Sequence, residues 1–190
     1  MTRADRPTLE QIERELARRD TLGRYAKATR ITVAALIVVS AVSVLAATIF
    51  FPVLTVTGTS MTPSLEEKQI VVAAKGSTPK TGDIAAFYYN NKILLKRVIA
   101  GEGDIVDIDS RGNVYVNDKL IDEPYAVDKG EGECNIEFPF QVPEDSWFVM
   151  GDHRSTSIDS RTTEVGCIKD EDILGKIFFR IYPFKDIDIF

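Results

Sequence analysis

The sequence predicts a mainly β protein, in which a single N-terminal transmembrane helix precedes an extracytoplasmic domain of antiparallel β-sheet. Three observations lead to this prediction. The segment Ile31–Phe51 is a run of 21 residues without a charge. Basic residues lie before this run, and the first charge beyond it is Glu66. The rest of the 190-residue chain contains short apolar runs separated by Gly, Asn and Asp, which is typical of an all-β domain.

The composition excludes several kinds of partner and metal site. The chain has 23 Lys and Arg against 29 Asp and Glu, a net charge of -6, so a nucleic-acid partner is not expected. His153 is the single histidine, which excludes a multi-histidine metal centre. Cys134 and Cys167 are too few for a four-thiolate zinc site.

Residues 1–30 are predicted to form a cytoplasmic N-terminal segment. Leu9, Ile12 and Leu16 recur at helical spacing, which predicts a short helix that is broken near Gly23. The alternative interpretation of this segment is a basic patch for nucleic acid. Interleaved acidic residues argue against that alternative.

Residues 31–51 are predicted to form the transmembrane helix. About 20 residues at about 1.5 Å each cross the ~30 Å hydrocarbon layer of a membrane. A cleavable signal peptide is the main alternative, but its apolar core is shorter, about 7 to 15 residues, and begins nearer the start of the chain. Arg24, Lys27 and Arg30 precede the span. The positive-inside rule therefore predicts a single-pass membrane protein with a cytoplasmic N terminus.

Residues 52–190 are predicted to form the extracytoplasmic β-rich domain. The turn residues Asp109–Asn113 predict a hairpin between two of its strands. The apolar runs that predict strands are Ile70–Ala74, Ile84–Tyr89, Ile93–Ile99, Ile105–Ile108 and Val114–Val116.

A serine activated by lysine is the first kind of chemistry to consider, because a Ser/His/Asp triad would depend on His153 and the chain has no GxSxG segment. Lysine acts as a base when burial lowers its pKa, and Lys96 lies in an apolar run. The alternative is a surface lysine that protects a strand edge. Strand alternation would put Leu94, Lys96, Val98 and Ala100 on one face and Ile93, Leu95, Arg97 and Ile99 on the other.

Ser60 is the candidate nucleophile in the segment Thr57–Leu65. Gly58 permits a close backbone approach and Pro63 stiffens the chain, so the serine is expected on a constrained turn. An ordinary loop serine is the alternative interpretation.

Four short motifs follow one another along the chain: SMTPSL at Ser60–Leu65, GDIAAF at Gly82–Phe87, KRVIAGEGD at Lys96–Asp104 and GDHRSTSIDSR at Gly151–Arg161. In order and spacing they resemble the sequence boxes of bacterial type I signal peptidases. The resemblance extends from the membrane span to Ile173–Phe184.

This resemblance implies roles for the site residues. Ser60 would be the nucleophile and Lys96 the general base, and Ser157 would orient the lysine amine. Asp159 and Arg161 look like a structural ion pair, for which a solvated surface pair is the alternative. The resemblance further implies that Asp152 supports the same region.

Two positions depart from the pattern of many family members. Gly58 stands where some members have a serine that donates to the oxyanion, so backbone N–H groups, chiefly that of Ser60 and also that of Gly58, are expected to donate instead. His153 stands where many members have asparagine, and we expect a satisfied polar loop residue there rather than a catalytic one. The related endoplasmic-reticulum enzymes have histidine in place of the lysine base, whereas position 96 here is lysine.

The resemblance implies a membrane-anchored serine endopeptidase that removes signal peptides from exported preproteins and prefers Ala-X-Ala sites. Its partners would be those signal peptides and membrane lipid, with the secretion translocase as a further candidate, and no cofactor is implied. Residues from about 103 to 147 resemble the family's inserted β-subdomain. Only eight residues, Pro52–Thr59, separate the span from Ser60, so the site is expected within about 30 Å of the membrane.

Three questions remain open from the sequence alone. The first alternative function is another Ser/Lys protease, such as a self-cleaving repressor or an organelle inner-membrane peptidase. The second is an inactive membrane-anchored β-domain that binds envelope partners. A disulfide between Cys134 and Cys167 is a hypothesis that an oxidising compartment would permit.

Overall fold

The computed structural model describes residues 8–130, 132–184 and 187–190. The first seven residues of the predicted cytoplasmic segment lie outside this description. The residues up to Ala47 and those from Thr48 onward form two separate units. The division into segments 1–30, 31–51 and 52–190 stays a prediction.

One long helix, α1, spans Leu9–Phe50 and contains nearly all the described residues of the first unit. The helix is long and apolar enough to cross a membrane. The predicted break near Gly23 is wrong, because the helix is continuous through that residue. A glycine inside a helix costs only about 1 kcal/mol relative to alanine. Proline would remove a backbone donor, but the first proline after the helix begins is Pro52.

The described strands of the second unit form two antiparallel sheets, so the predicted mainly β fold class is confirmed. The strands are β1 (Val53–Thr55), β2 (Ile70–Lys75), β3 (Ile84–Tyr89), β4 (Lys92–Ala100), β5 (Ile105–Ile108), β6 (Val114–Val116), β7 (Lys119–Leu120), β8 (Phe140–Gln141), β9 (Ser146–Met150), β10 (Ile168–Lys169), β11 (Ile173–Tyr182) and β12 (Asp188–Ile189). Two 3-10 helices lie at Arg154–Thr156 and Asp170–Asp172.

The larger sheet has the strand order β1-β2-β11-β3-β4-β9-β10, and β12 pairs with β11. The smaller sheet has the order β7-β6-β5-β8 and is formed by residues between Ile105 and Gln141. Strands β5 and β6 form the hairpin that the turn residues Asp109–Asn113 predict, with Ile108 opposite Val114. The larger sheet carries the strand of Lys96, so it positions the candidate base.

Strand β4 departs from simple alternation at its end. Its register with β9 shifts between Val98 and Ala100. Val98 packs in a cluster with Phe87 and Val149, whereas Ala100 packs with Ile99 in a different cluster. The predicted placement of Ala100 on the face of Val98 is therefore wrong, because an extra residue at a β-bulge changes the side to which later residues point.

Candidate active site

Ser60 lies in the turn between β1 and β2, where apolar neighbours fix the backbone. Met61 and Leu65, which follow Ser60, are buried in the same cluster as Val56, which precedes it. The N–H of Leu65 donates to the carbonyl of Met61 at 2.8 Å, which closes the turn. Gly58 adopts a left-handed φ of 83°, a conformation that favours glycine. The turn therefore holds Ser60, which is half-buried, in a defined place.

Lys96 lies in the middle of β4 opposite Ala85 of β3, and only 4% of its surface is exposed. Burial disfavours the charged amine and lowers the pKa of Lys96 from 10.5 to about 8. The carboxylates of Asp159 and Asp152 act in the opposite direction, and the guanidinium of Arg161 adds to the lowering. The alternative of a surface lysine at a strand edge is thus wrong.

Ser60 and Lys96 line the same small cleft, which has a volume of about 60 Å³. Gly58 and Leu95 are also in its wall. Among the described residues, the backbone N–H groups of Gly58 and Ser60 have no hydrogen-bond partner within the protein. The wall of the cleft therefore includes a serine, a buried lysine and two residues whose backbone N–H groups are available as donors.

The amine of Lys96 is oriented by a short chain of hydrogen bonds. Lys96 Nζ donates to Ser157 Oγ at 2.8 Å, and Ser157 Oγ donates to Asp159 Oδ2 at 2.7 Å. Because Ser157 gives its only hydroxyl proton to the carboxylate, its oxygen accepts from the lysine. A neutral Lys96 that donates in this way keeps its lone pair for another proton.

Residues 151–161, which we call the box loop, contain a buried ion pair. Arg161 Nε lies 2.8 Å from Asp159 Oδ1, and the side chains are 3% and 0% exposed. The backbone N–H of Gly151 also donates to Asp159 Oδ2 at 3.0 Å. The alternative of a solvated surface pair is therefore wrong, and Asp159 connects Arg161, Gly151 and Ser157.

Asp152 is completely buried and pairs with Arg97, the neighbour of Lys96. Arg97 Nε and Nη2 donate to the two carboxylate oxygens of Asp152 at 2.7 and 2.6 Å. The same guanidinium donates to the Gly82 carbonyl at 2.7 Å and to Ser64 Oγ at 3.1 Å. Sequence reasoning missed Arg97, although its position directly after Lys96 in a motif was an available signal.

His153 supports the turn that carries Ser60. Its backbone N–H donates to the carbonyl of Ser60 at 3.1 Å, and its ring Nδ1 lies 3.0 Å from Thr62 Oγ1. Its Nε2 lies 3.8 Å from Asp128 Oδ2. These partners fit the expectation of a satisfied polar loop residue.

Gly151 is a second residue that sequence reasoning missed. A Cβ at this position would lie 2.3 Å from Ser157 Oγ and 2.5 Å from the carbonyl oxygen of Ser60. Real Cβ atoms do not approach other atoms so closely, so only glycine allows the box loop to pack against the turn of Ser60. Its occurrence at the start of a GD motif was the available signal.

The two cysteines are free thiols, so the hypothetical disulfide is not formed in the structure. Cys134 is exposed, whereas Cys167 is half-buried, and burial raises the pKa of its thiol to about 11. Neither cysteine lines the cleft of Ser60 and Lys96.

Comparison with known proteins gives a consistent set of relatives. A family model described as "Signal peptidase, peptidase S26" matches residues 28–182. Signal peptidase I U of Bacillus subtilis (strain 168) is 28% identical over 179 residues, covering 88% of this chain and 95% of that protein. Signal peptidase I of Bacillus amyloliquefaciens is 32% identical over 164 residues, covering 80% of this chain and 88% of that protein. A crystal structure of a signal peptidase I from Enterococcus faecalis V583 is 26% identical, covers 53% of this chain and 97% of that chain, and gives a TM-score of 0.45.

Proposed function

This chain belongs to the signal peptidase family, peptidase S26, and we propose that it works through a dyad of Ser60 as nucleophile and Lys96 as general base. Family membership makes it a serine endopeptidase that cleaves signal peptides from preproteins. The observation that carries the proposed dyad is that Ser60 and the buried Lys96 line the same cleft.

The proposed mechanism has two halves that use the same amine. Neutral Lys96 Nζ accepts the proton of the Ser60 hydroxyl while Ser60 Oγ attacks the scissile carbonyl carbon. The amine then gives this proton to the departing nitrogen of the mature protein, and the signal peptide remains as an ester on Ser60. Lys96 next takes a proton from water, whose oxygen attacks the ester, and returns that proton to Ser60 Oγ as the bond to the signal peptide breaks.

The positions of the supporting groups agree with this mechanism. Because the pKa of Lys96 is lowered to about 8, a usable fraction of the amine is neutral near pH 7. Ser157 orients the amine, while Asp159 with Arg161 and Asp152 with Arg97 hold the loop and the strand. In this proposal the backbone N–H groups of Gly58 and Ser60 stabilise the oxyanion.

The small volume of the cleft supports a preference for Ala-X-Ala sites. A volume of about 60 Å³ accommodates methyl groups more readily than large side chains. We therefore propose that alanine side chains of the signal peptide occupy small subsites beside Ser60, in a cleft whose wall includes Leu94 and Leu95.

We also propose that α1 anchors the enzyme in the plasma membrane, with the N terminus in the cytoplasm and the β-sheet unit outside. The basic residues before the apolar run support this orientation. The eight residues between the span and Ser60 would keep cleavage within about 30 Å of the lipid. Membrane lipid and the secretion translocase would then be neighbours of the enzyme.

Cleavage of a preprotein with an Ala-X-Ala site, in detergent, tests the dyad. We expect the wild type to release mature protein, and Ser60→Ala and Lys96→Ala to lose at least about 1,000-fold in kcat, because each removes a reacting group. The matched controls are Ser110→Ala and Lys92→Ala, which change exposed residues and should retain wild-type activity.

Two outcomes would contradict the proposal. Full activity in Ser60→Ala or Lys96→Ala would exclude the dyad and favour another set of reacting groups. If the folded wild type cleaves none of several preproteins, an anchored β-domain that binds envelope partners becomes the better interpretation.

A further inference from the structure

Two residues between β7 and β8, Glu123 and Tyr125, contact arginines that support the candidate active site. Glu123 is 7% exposed and Arg154, in the box loop, is 1% exposed. The two side chains make two hydrogen bonds, one between Arg154 Nη1 and Glu123 Oε2 at 3.2 Å and one between Arg154 Nη2 and Glu123 Oε1. Because both groups are buried, each charge depends on the other for compensation.

Arg154 connects this pair to the groups that surround Lys96. Its Nε donates to the Gly151 carbonyl at 3.0 Å, and its own carbonyl accepts from Arg161 Nη2 at 2.8 Å. Gly151 and Arg161 both contact Asp159, which holds Ser157. A displacement of Arg154 would therefore also move the Ser157 hydroxyl, which orients Lys96.

Tyr125 covers the second arginine. The Cζ atom of Arg97 lies 4.0 Å from the centroid of the Tyr125 ring, a cation–π contact. Tyr125 Oη also donates to Glu123 Oε1 at 3.3 Å, so the two residues support each other. Arg97 in turn joins the strand of Lys96 to Asp152 in the box loop and to Ser64, near the nucleophile.

We propose that Glu123 and Tyr125 are positioning residues that hold Arg154 and Arg97, and through them fix the base and the nucleophile in reactive geometry. This inference rests on the proposed function, because it assumes that Ser60 and Lys96 react. Through these contacts, Glu123 and Tyr125 would affect the rate of the chemical step. Small displacements of reacting groups are costly, since about 1 Å of misplacement can reduce the rate 100-fold.

Tyr125→Leu and Tyr125→Phe form the decisive pair of variants. Tyr125→Phe keeps the ring over Arg97, and we expect its kcat to stay within about threefold of the wild type. Tyr125→Leu removes the ring, and we expect kcat to fall about 10-fold or more while KM stays within about twofold. Glu123→Gln should also lower kcat about 10-fold, because it leaves the charge of Arg154 uncompensated. The control is Asp122→Asn, which changes the exposed neighbour.

The pH profile of kcat separates positioning from a purely structural role. Among the described residues, the charged groups that shift the pKa of Lys96 are Asp159, Arg161 and Asp152, and Ser157 accepts its hydrogen bond. None of these variants replaces those residues. If Tyr125→Leu loosens the site and admits water to Lys96, the midpoint of the profile should rise by about half a pH unit or more. Each rate is to be expressed per active site, by titration with a serine-directed acylating inhibitor.

The outcomes distinguish this inference from the proposed function. If Tyr125→Leu and Glu123→Gln lower only the melting temperature, with kcat per site and pH midpoint unchanged, the positioning role is excluded. Equal loss in Tyr125→Phe and Tyr125→Leu would exclude the ring contact as its basis. If Glu123→Gln does not fold, the comparison of Tyr125→Phe with Tyr125→Leu still tests the positioning role. If the wild type is inert, or Ser60→Ala is as active as the wild type, the proposed function itself fails.

Discussion

At the scale of single residues, the ionisation of Lys96 is expected to control the rate of cleavage. Because burial lowers its pKa to about 8 and only the neutral amine accepts a proton, kcat should rise about 10-fold per pH unit below pH 8 and level off above it. Steady-state cleavage of a peptide between about pH 5 and 9 measures this profile. A rate that stays constant over that range would contradict the assignment of Lys96 as the base.

The close packing at Gly151 gives a second prediction for a single residue. In Gly151→Ala, the new methyl group would overlap Ser157 Oγ and the backbone oxygen of Ser60, at 2.3 and 2.5 Å. Since backbone must move to relieve this overlap, we expect kcat to fall about 100-fold and stability to fall by about 1–3 kcal/mol. Kinetics and thermal unfolding measure the two effects.

The matched control for this substitution is Gly130→Ala. Its nearest neighbour would be Ser155 Cβ at 3.3 Å, so a shift of a few tenths of an ångström would relieve the contact. Equal activity of Gly151→Ala and Gly130→Ala would show that the contact between the box loop and the turn of Ser60 does not govern catalysis.

Sequence reasoning identified several site residues in recognisable boxes, but not which residues contact each other across the fold. Ser60, Lys96 and Ser157 each lie in a short motif. Arg97 and Asp152 are 55 positions apart, so nothing local indicates that they pair. Glu123 lies 31 positions before Arg154, and its burial depends on how the segment between β7 and β8 packs on the box loop.

At the scale of elements, the turn between β1 and β2 depends on its buried apolar residues. Leu65 is 0% exposed and packs against the cluster that includes Met61. We expect Leu65→Ala to destabilise the domain by about 2–5 kcal/mol, because it leaves a cavity beneath the turn. Denaturant unfolding in detergent measures this, with Leu120→Ala, at a residue that is 59% exposed, as the control. A loss below about 1 kcal/mol for Leu65→Ala would refute the prediction.

Elements that a short stretch of sequence specifies could be predicted. Features that depend on contacts with distant parts of the chain could not. The uncharged run Ile31–Phe51 predicted an apolar helix, and Asp109–Asn113 predicted the hairpin of β5 and β6. The continuity of α1 through Gly23 was missed because a glycine weakens a helix without breaking it. The bulge near the end of β4 was missed because it arises from the register with β9, a strand distant in sequence.

For the whole molecule, the exposed thiol of Cys134 offers a test of the proposed topology. In intact cells that contain the full chain, a membrane-impermeant maleimide should label Cys134 from outside. Cys167 should react slowly, because burial raises the pKa of its thiol to about 11. Cys134→Ser should remove the labelling.

A cysteine in α1 supplies the matching control. In a variant without Cys134 and Cys167, Arg18→Cys should be labelled only after the membrane is permeabilised, since residues before the span are proposed to be cytoplasmic. Labelling of Arg18→Cys in intact cells, together with protection of Cys134, would reverse the proposed orientation.

The buried amine that is proposed to act as the base also weakens the fold that contains it. Below pH 8, Lys96 is protonated in both the folded and the unfolded chain, and the folded state bears the full cost of burying a cation. The difference between a pKa of 10.5 and one of about 8 corresponds to roughly 3 kcal/mol. This cost diminishes as the pH rises from 8 to 10.5, because the folded protein loses its proton first. Near pH 7 we therefore expect the domain to be less stable than a variant with an apolar residue of similar size at position 96, so the rest of the β-sheet core has to compensate for the difference.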